Sequence, residues 1–300
     1  MQGNHLQLFF VAAVFLCNVY SVSGKEDIRS ALIIVDVQEC FLPGGSLAVA
    51  NGAAIIPVIN SIRENNTFEM VVFTMDWHLP GHVSFASTHN KSVGATVPLR
   101  YLKNGALCLN ETVTLKNFPN AQNCNENTTT LLEQKLWPDH CIQNLSSGNM
   151  SSRISPGLKQ RSDDVIIHKG IHLEIDSYSA FFDNGNFFST DLNDKLKSNN
   201  IDTVFITGLA FDICVFYTSL NAQSLGYETY TVVDAAIGID PKHVEDAKQK
   251  LSDKGVHLIK HTDIQDILKN HSPRLFAHCL VFTLVCSVVS RKLVLHWLMD

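Results

Sequence analysis

Short apolar and β-branched runs recur along the chain at about 31–35, 70–75, 164–168, 203–207, 228–233 and 256–260. Most lack the apolar-polar alternation of a half-exposed strand, as expected of strands covered on both faces of a parallel sheet. Helical spacing fills most of the intervals. One such stretch covers 53–65, and another sets Cys214, Thr218, Ala222 and Leu225 on one face until Gly226 closes it. Strand and helix alternating in this order predict one three-layer α/β/α domain around a parallel, Rossmann-like sheet.

The rhythm breaks between about 88 and 135, where Asn and Thr accumulate and no strand or helix period is visible. This stretch reads as an insertion. Asn-x-Ser/Thr sequons stand at Asn65, Asn90, Asn110, Asn127, Asn144, Asn149 and Asn270, so that five of them fall between Asn90 and Asn149 and mark an exposed, glycosylated excursion. Cys108 and Cys124 lie within it. Together with Cys40 and Cys141 they allow three pairings, and an exported protein would form such bridges.

The two ends differ from the body. Leu6 to Val19 is apolar and runs into Ser21, Ser23 and Gly24, the pattern of a signal peptide over 1–24. A second apolar run, Leu275 to Val289, precedes Arg291 and Lys292 within a hydrophobic tail at 271–300. It suits a removable lipid-anchor signal or a membrane segment. The catalytic domain is therefore expected at 25–270, on the outer face of the cell surface or secreted. This part carries 20 basic against 28 acidic residues, a formal charge of −8. Nucleic acid is excluded as a partner by that balance and by the lack of a basic patch interleaved with aromatics.

Polar residues at strand ends supply the candidate chemistry. Cys214 falls in a first helical turn after the strand ending near Gly208, where the helix dipole and free N–H groups favour a thiolate nucleophile and an oxyanion. Asp36 closes the first strand and is a candidate acid/base, since ligands in open parallel sheets bind beyond the carboxyl ends of strands. Asp76 and His78 follow the second strand two residues apart, on one side of an extended backbone, with His82 after a Pro-Gly turn and His140 further on. Carboxylate plus imidazoles point to one divalent metal, Zn, Fe or Mn. Lys169 ends the third strand; near Asp36 and Cys214 it would lower the thiol pKa and orient the carboxylate.

Asp36, Lys169 and Cys214 in that order, with Asp76-x-His78 and the Trp137-Pro138-x-His140-Cys141 motif, resemble the isochorismatase-like cysteine hydrolases, specifically the nicotinamidases, over about 33–256 apart from the insertion. The resemblance implies hydrolysis of nicotinamide to nicotinate and ammonia through a Cys214 thioester. It makes Asp36, Lys169 and Cys214 the catalytic triad and Asp76, His78 and His140 the metal ligands, with His82 a ligand in some members only. It also implies a cis peptide at Leu209-Ala210, oxyanion donors at the backbone of Ala210 and Cys214, a ring sandwich of Phe41 and Trp137, and Tyr178 in the pocket.

The chain departs from the family pattern after Asp36. Where Val-Gln-Asn-Asp-Phe-Cys is usual, it has Val37, Gln38, Glu39, Cys40, Phe41 and Leu42, and Phe211 stands where Thr is common. A bridge from Cys40 to Cys141 would brace the loop beside the metal. Two other functions fit the same scaffold: another hydrolase of the superfamily, acting on a vinyl ether or carbamoyl group, and a non-catalytic surface binder. The former generally lacks the Asp-x-His and Trp-Pro-x-His set.

Overall fold

The computed structural model describes residues 28–111, 113–125 and 129–270, and Ile28–Leu268 forms one compact unit. The expected signal peptide, the hydrophobic tail and the sequon at Asn127 lie outside the described residues. Six strands form one parallel sheet: β1 (Ser30–Val35), β2 (Met70–Asp76), β5 (Val165–Lys169), β6 (Thr203–Leu209), β7 (Glu228–Ile237) and β8 (His257–Ile259). Their order is β5-β2-β1-β6-β7-β8. The chain thus winds outward from β1 to β5, returns, and winds out on the other side. The order reverses between β1 and β6, and the crevice at such a switch point is where open α/β sheets bind ligands.

Successive β1 side chains feed opposite faces. Ala31, Ile33 and Val35 pack in one core with residues of α2 (Leu192–Ser198), α3 (Phe216–Ser224) and α4 (Pro241–Asp253). Leu32 and Ile34 pack in the other with α1 (Ile55–Asn65) and with Ile264 at the start of α5 (Ile264–Asn270). Every β1 residue is buried, which is why its sequence shows no alternation. Helix α4 starts where local chemistry dictates: Asp240 accepts hydrogen bonds from the N–H groups of Lys242 and His243, a cap worth about 1 kcal/mol, and Pro241 occupies the first helical position.

The insertion is more ordered than its sequence suggests. It holds a two-stranded antiparallel sheet, β3 (Thr96–Tyr101) and β4 (Thr130–Lys135), over a third core containing Val97, Leu99, Tyr101, Leu107, Val113 and Phe118. In β3, Val97, Leu99 and Tyr101 alternate with more exposed neighbours. Pro98 hides the pattern, because Pro reads as a strand breaker, yet it is tolerated in a strand paired on one side only. A Cys108–Cys124 disulfide ties the segment, and a second joins Cys40 to Cys141.

Candidate active site

Asp36, Asp76 and Lys169 arrive at the carboxyl ends of three adjacent strands, in the register that pairs Asp76 with Lys169. The fourth strand end, β6, leads through the cis peptide Leu209-Ala210 into a π-helical turn, Phe211–Val215, that carries Cys214. Gly208 makes the approach possible. It has φ +121, and a β-carbon there would strike the backbone of Val35, one residue before Asp36.

Lys169 is the hub of the buried charges. Its ammonium lies 2.9 Å from Asp36 Oδ2, 3.5 Å from Cys214 Sγ and 3.0 Å from the Ser177 carbonyl, and it also pairs with Asp76 Oδ1. Burial alone would depress its pKa, but Asp36 and Asp76 outweigh that and hold it well above the usual lysine range. The cation is permanent. Thr74 Oγ1 donates to Asp36 Oδ1 at 2.6 Å, fixing that carboxylate, while Asp36, Asp76 and Cys214 each bring a ligating atom within 4.8 Å of the others.

Burial pushes the Asp36 pKa up to about 6 against the pull of Lys169. It also drives the Cys214 thiol well above its ordinary value, Lys169 again opposing. This corrects the expectation of a resting thiolate: desolvation of the buried sulfur, with Asp36 and Asp76 adding to it, outweighs the neighbouring cation. The thiol therefore needs a base, and Asp36 is beside it.

Asp76, His78 and His140 form a second cluster sharing the Asp76 carboxylate. Asp76 Oδ2 stands 3.5 Å from His78 Nε2 and 3.7 Å from His140 Nε2. His78 Nδ1 donates to the Gly170 carbonyl at 3.0 Å and His140 Nδ1 to the Pro138 carbonyl at 2.7 Å. A carbonyl only accepts, so in the neutral form of each ring Nδ1 carries the proton and Nε2 its lone pair, the arrangement that outer partners give a metal-binding imidazole. The His82 ring stacks on His78 at 4.0 Å with its Nδ1 held by Ser84 Oγ at 2.7 Å, and its buried Nε2 has no hydrogen-bond partner. Burial, together with His78 and His140, keeps His82 neutral. Two Nε2 atoms and an anionic carboxylate, their ligating atoms within 4.8 Å of one another, fit a divalent metal, whereas His82 groups with His78 and Asp176 instead.

The pocket over both clusters is lined by Phe41, Trp137, Tyr178, Ala210 and Cys214, the residues expected for ring binding and oxyanion support. Trp137 also receives the Lys135 ammonium on its face at 4.7 Å.

A family model described as Isochorismatase domain matches residues 109–263. The chain is 36% identical to the nicotinamidase of Acinetobacter baylyi, over 80% of its own length and 96% of that protein. A solved structure of the Acinetobacter baumanii nicotinamidase pyrazinamidease superposes with a TM-score of 0.64 at 38% identity, covering 80% of this chain and all of that one. A pyrazinamidase of Pyrococcus horikoshii in complex with zinc gives 0.55 at 28% identity, covering 77% and 99%.

The chain belongs to the isochorismatase family. Within this isochorismatase fold, sequence reasoning left several pocket residues unassigned: Leu47, Asp176, Ile213 and Ile239. Asp176 could have been noticed, since it stands two residues before Tyr178. The apolar three carry no sequence signal, because an aliphatic side chain in a loop looks the same whether it meets solvent or a ligand. Gln38 was visible only as part of a motif. In the isochorismatase site its amide bonds the Asp76 N–H at 2.8 Å, the Asp76 carbonyl at 2.9 Å and the Ser152 carbonyl at 2.8 Å.

Proposed function

We propose that the protein is a nicotinamidase that hydrolyses nicotinamide to nicotinate and ammonia through a thioester on Cys214. The observation that carries this reading is the meeting of the Cys214 thiol, the Asp36 carboxylate and the Lys169 ammonium in one buried cluster beneath the pocket, beside a set of metal-type donors.

Asp36 takes the Cys214 proton as Sγ attacks the carboxamide carbon, and the backbone N–H groups of Ala210 and Cys214 hold the oxyanion. Protonated Asp36 returns the proton to the departing ammonia. Water then attacks the thioester with Asp36 again as base, releasing nicotinate and restoring the thiol. Lys169 stays charged throughout, steadying the developing thiolate and keeping Asp36 in place. Phe41 and Trp137 flank the ring, and Tyr178 closes its side. Asp76, His78 and His140, with His82 stacked on His78, would hold one divalent metal, Zn, Fe or Mn, which when bound would supply a Lewis acid to position the pyridine ring and polarise the carboxamide.

Release of ammonia from nicotinamide by the purified protein tests the proposal. Turnover of a vinyl ether or carbamoyl substrate with none of nicotinamide would replace it with another chemistry of the superfamily, and no turnover of either would leave a binding role.

We also propose export to the cell surface. Support comes from the exposed sequon residues Asn65, Asn90, Asn110, Asn144 and Asn149 and from the two disulfides. No helix among the described residues is long and apolar enough to cross a membrane. Attachment would therefore fall to the hydrophobic tail beyond Asn270, read as the signal for a glycolipid anchor.

A further inference from the structure

His140 is a candidate metal ligand without a regular element to carry it. Neither helix nor strand occurs between β4, which ends at Lys135, and β5, which begins at Val165. The Nδ1 bond of His140 goes to Pro138 of the same loop, so it orients the ring without tying the loop to the sheet. Outside connections come from both sides of His140: Trp137 donates to the Ser84 carbonyl and accepts from Ala86, both at 2.8 Å, Gln143 donates to the His78 carbonyl at 2.9 Å, and Cys141, the next residue, adds two more. Its carbonyl accepts from the His78 N–H at 3.0 Å, and its sulfur is bonded to Cys40 across 101 residues of sequence. Cys40 lies four residues beyond Asp36 and immediately before Phe41, and both half-cystines are fully buried.

The bond thus joins the neighbour of one pocket residue to the neighbour of another. Phe41 and His140 face each other with ring centroids 5.5 Å apart, and both line the pocket. Cys141 has φ +46, a left-handed conformation that costs any residue bearing a β-carbon and persists only where the surroundings impose it. The sulfur bridge and the His78 hydrogen bond are both made by this residue. The triad differs, because Asp36 and Lys169 stand at sheet strand ends and Cys214 in the turn that follows β6.

We propose that the Cys40–Cys141 disulfide is the positioning element of the metal and ring subsites, holding His140 and Phe41 in place while the triad is held by the sheet. This rests on the nicotinamidase reading for the ring subsite, but its metal arm does not depend on the substrate. Loss of the bond lowers metal affinity and raises KM for nicotinamide, while kcat at saturating metal and substrate stays near the wild-type value.

The test compares C40S/C141S, in which an oxygen replaces each sulfur, with C108A/C124A, which removes the disulfide of the insertion. Circular dichroism reports folding, competition with a chromogenic chelator reports Zn²⁺ affinity, and ammonia release reports KM and kcat. C40S/C141S is expected to lose about 10–100-fold in Zn²⁺ affinity, the range typical of groups that support metal ligands, and to show a raised KM, whereas C108A/C124A keeps both. Wild-type Zn²⁺ affinity and KM in folded C40S/C141S would overturn the proposal. If C40S/C141S fails to fold, C40A/C141A is measured in its place; if that also fails, the bond serves the whole fold and the proposal is overturned. Should the wild-type protein release no ammonia, the nicotinamidase reading fails by itself, and the Zn²⁺ comparison still decides the role of the bond.

Discussion

The side-chain amide of Gln38 pairs with the Asp76 peptide on both sides, accepting from its N–H at 2.8 Å and donating to its carbonyl at 2.9 Å. It acts as a stand-in strand where β2 leaves the sheet, and it sets the direction in which Asp76 and then His78 emerge. Replacement by leucine leaves the Asp76 peptide and the Ser152 carbonyl buried without partners, at about 1–3 kcal/mol for each group. Gln38→Leu should therefore melt at lower temperature and bind metal more weakly. His78→Ala and His140→Ala should lose the metal without a comparable loss of stability. Elemental analysis beside thermal melts checks both, and wild-type metal content in the two histidine variants would remove them from the ligand set.

Cys214→Ala should abolish nicotinamide hydrolysis with folding and metal content intact, because in the proposed route the sulfur forms the covalent bond and is not one of the proposed ligands Asp76, His78 and His140. Asp36→Asn should cost about 10²–10⁴-fold in kcat, the usual range for a positioned acid/base. Lys169→Ala should fall further, since it leaves Asp36 and Asp76 facing each other without a counter-ion. Single-turnover measurements with mass detection of an acyl adduct check the route. Appreciable turnover by Cys214→Ala would end the thioester mechanism.

Activity should have an acid limb set by Asp36. The carboxylate must be unprotonated to accept the thiol proton, and burial, opposed by Lys169, places its pKa at about 6. The value of kcat/KM should thus be level above that pH and fall about tenfold per unit below it. A flat profile down to pH 4 would show that Asp36 is not the base.

Treating intact cells with a phosphatidylinositol-specific phospholipase should release the activity into the medium if the tail is exchanged for a glycolipid. Activity that stays with the membrane, after the phospholipase has been shown to cut a control anchor, would favour a spanning tail instead.

The fold was readable from the chain because most strands of the main sheet are hydrophobic runs whose ends could be located to within a few residues. The predicted run at 203–207 became Thr203–Leu209, and 228–233 became Glu228–Ile237. β3 escaped notice because Pro98 interrupts its pattern. The meeting of Asp36, Lys169 and Cys214 was equally readable, since strand ends in a parallel sheet converge and each residue stands at or just beyond one. The Cys214 proton was misjudged, because enclosure depends on what packs around a sulfur and local helix position does not report that. Gln38 went unread because its partners, Asp76 and Ser152, are far away in sequence.

Lys169 has a consequence for how such a site can diverge. One ammonium balances Asp36, the proposed base for the thiol, and Asp76, the proposed metal ligand. A descendant that exchanged Asp76 for a neutral ligand, to favour a different metal, would leave Lys169 with a single counter-ion and shift the proton affinity of Asp36 in the same step. Metal preference and acid-base timing are therefore inherited together, and drift in one is exposed to selection on the other.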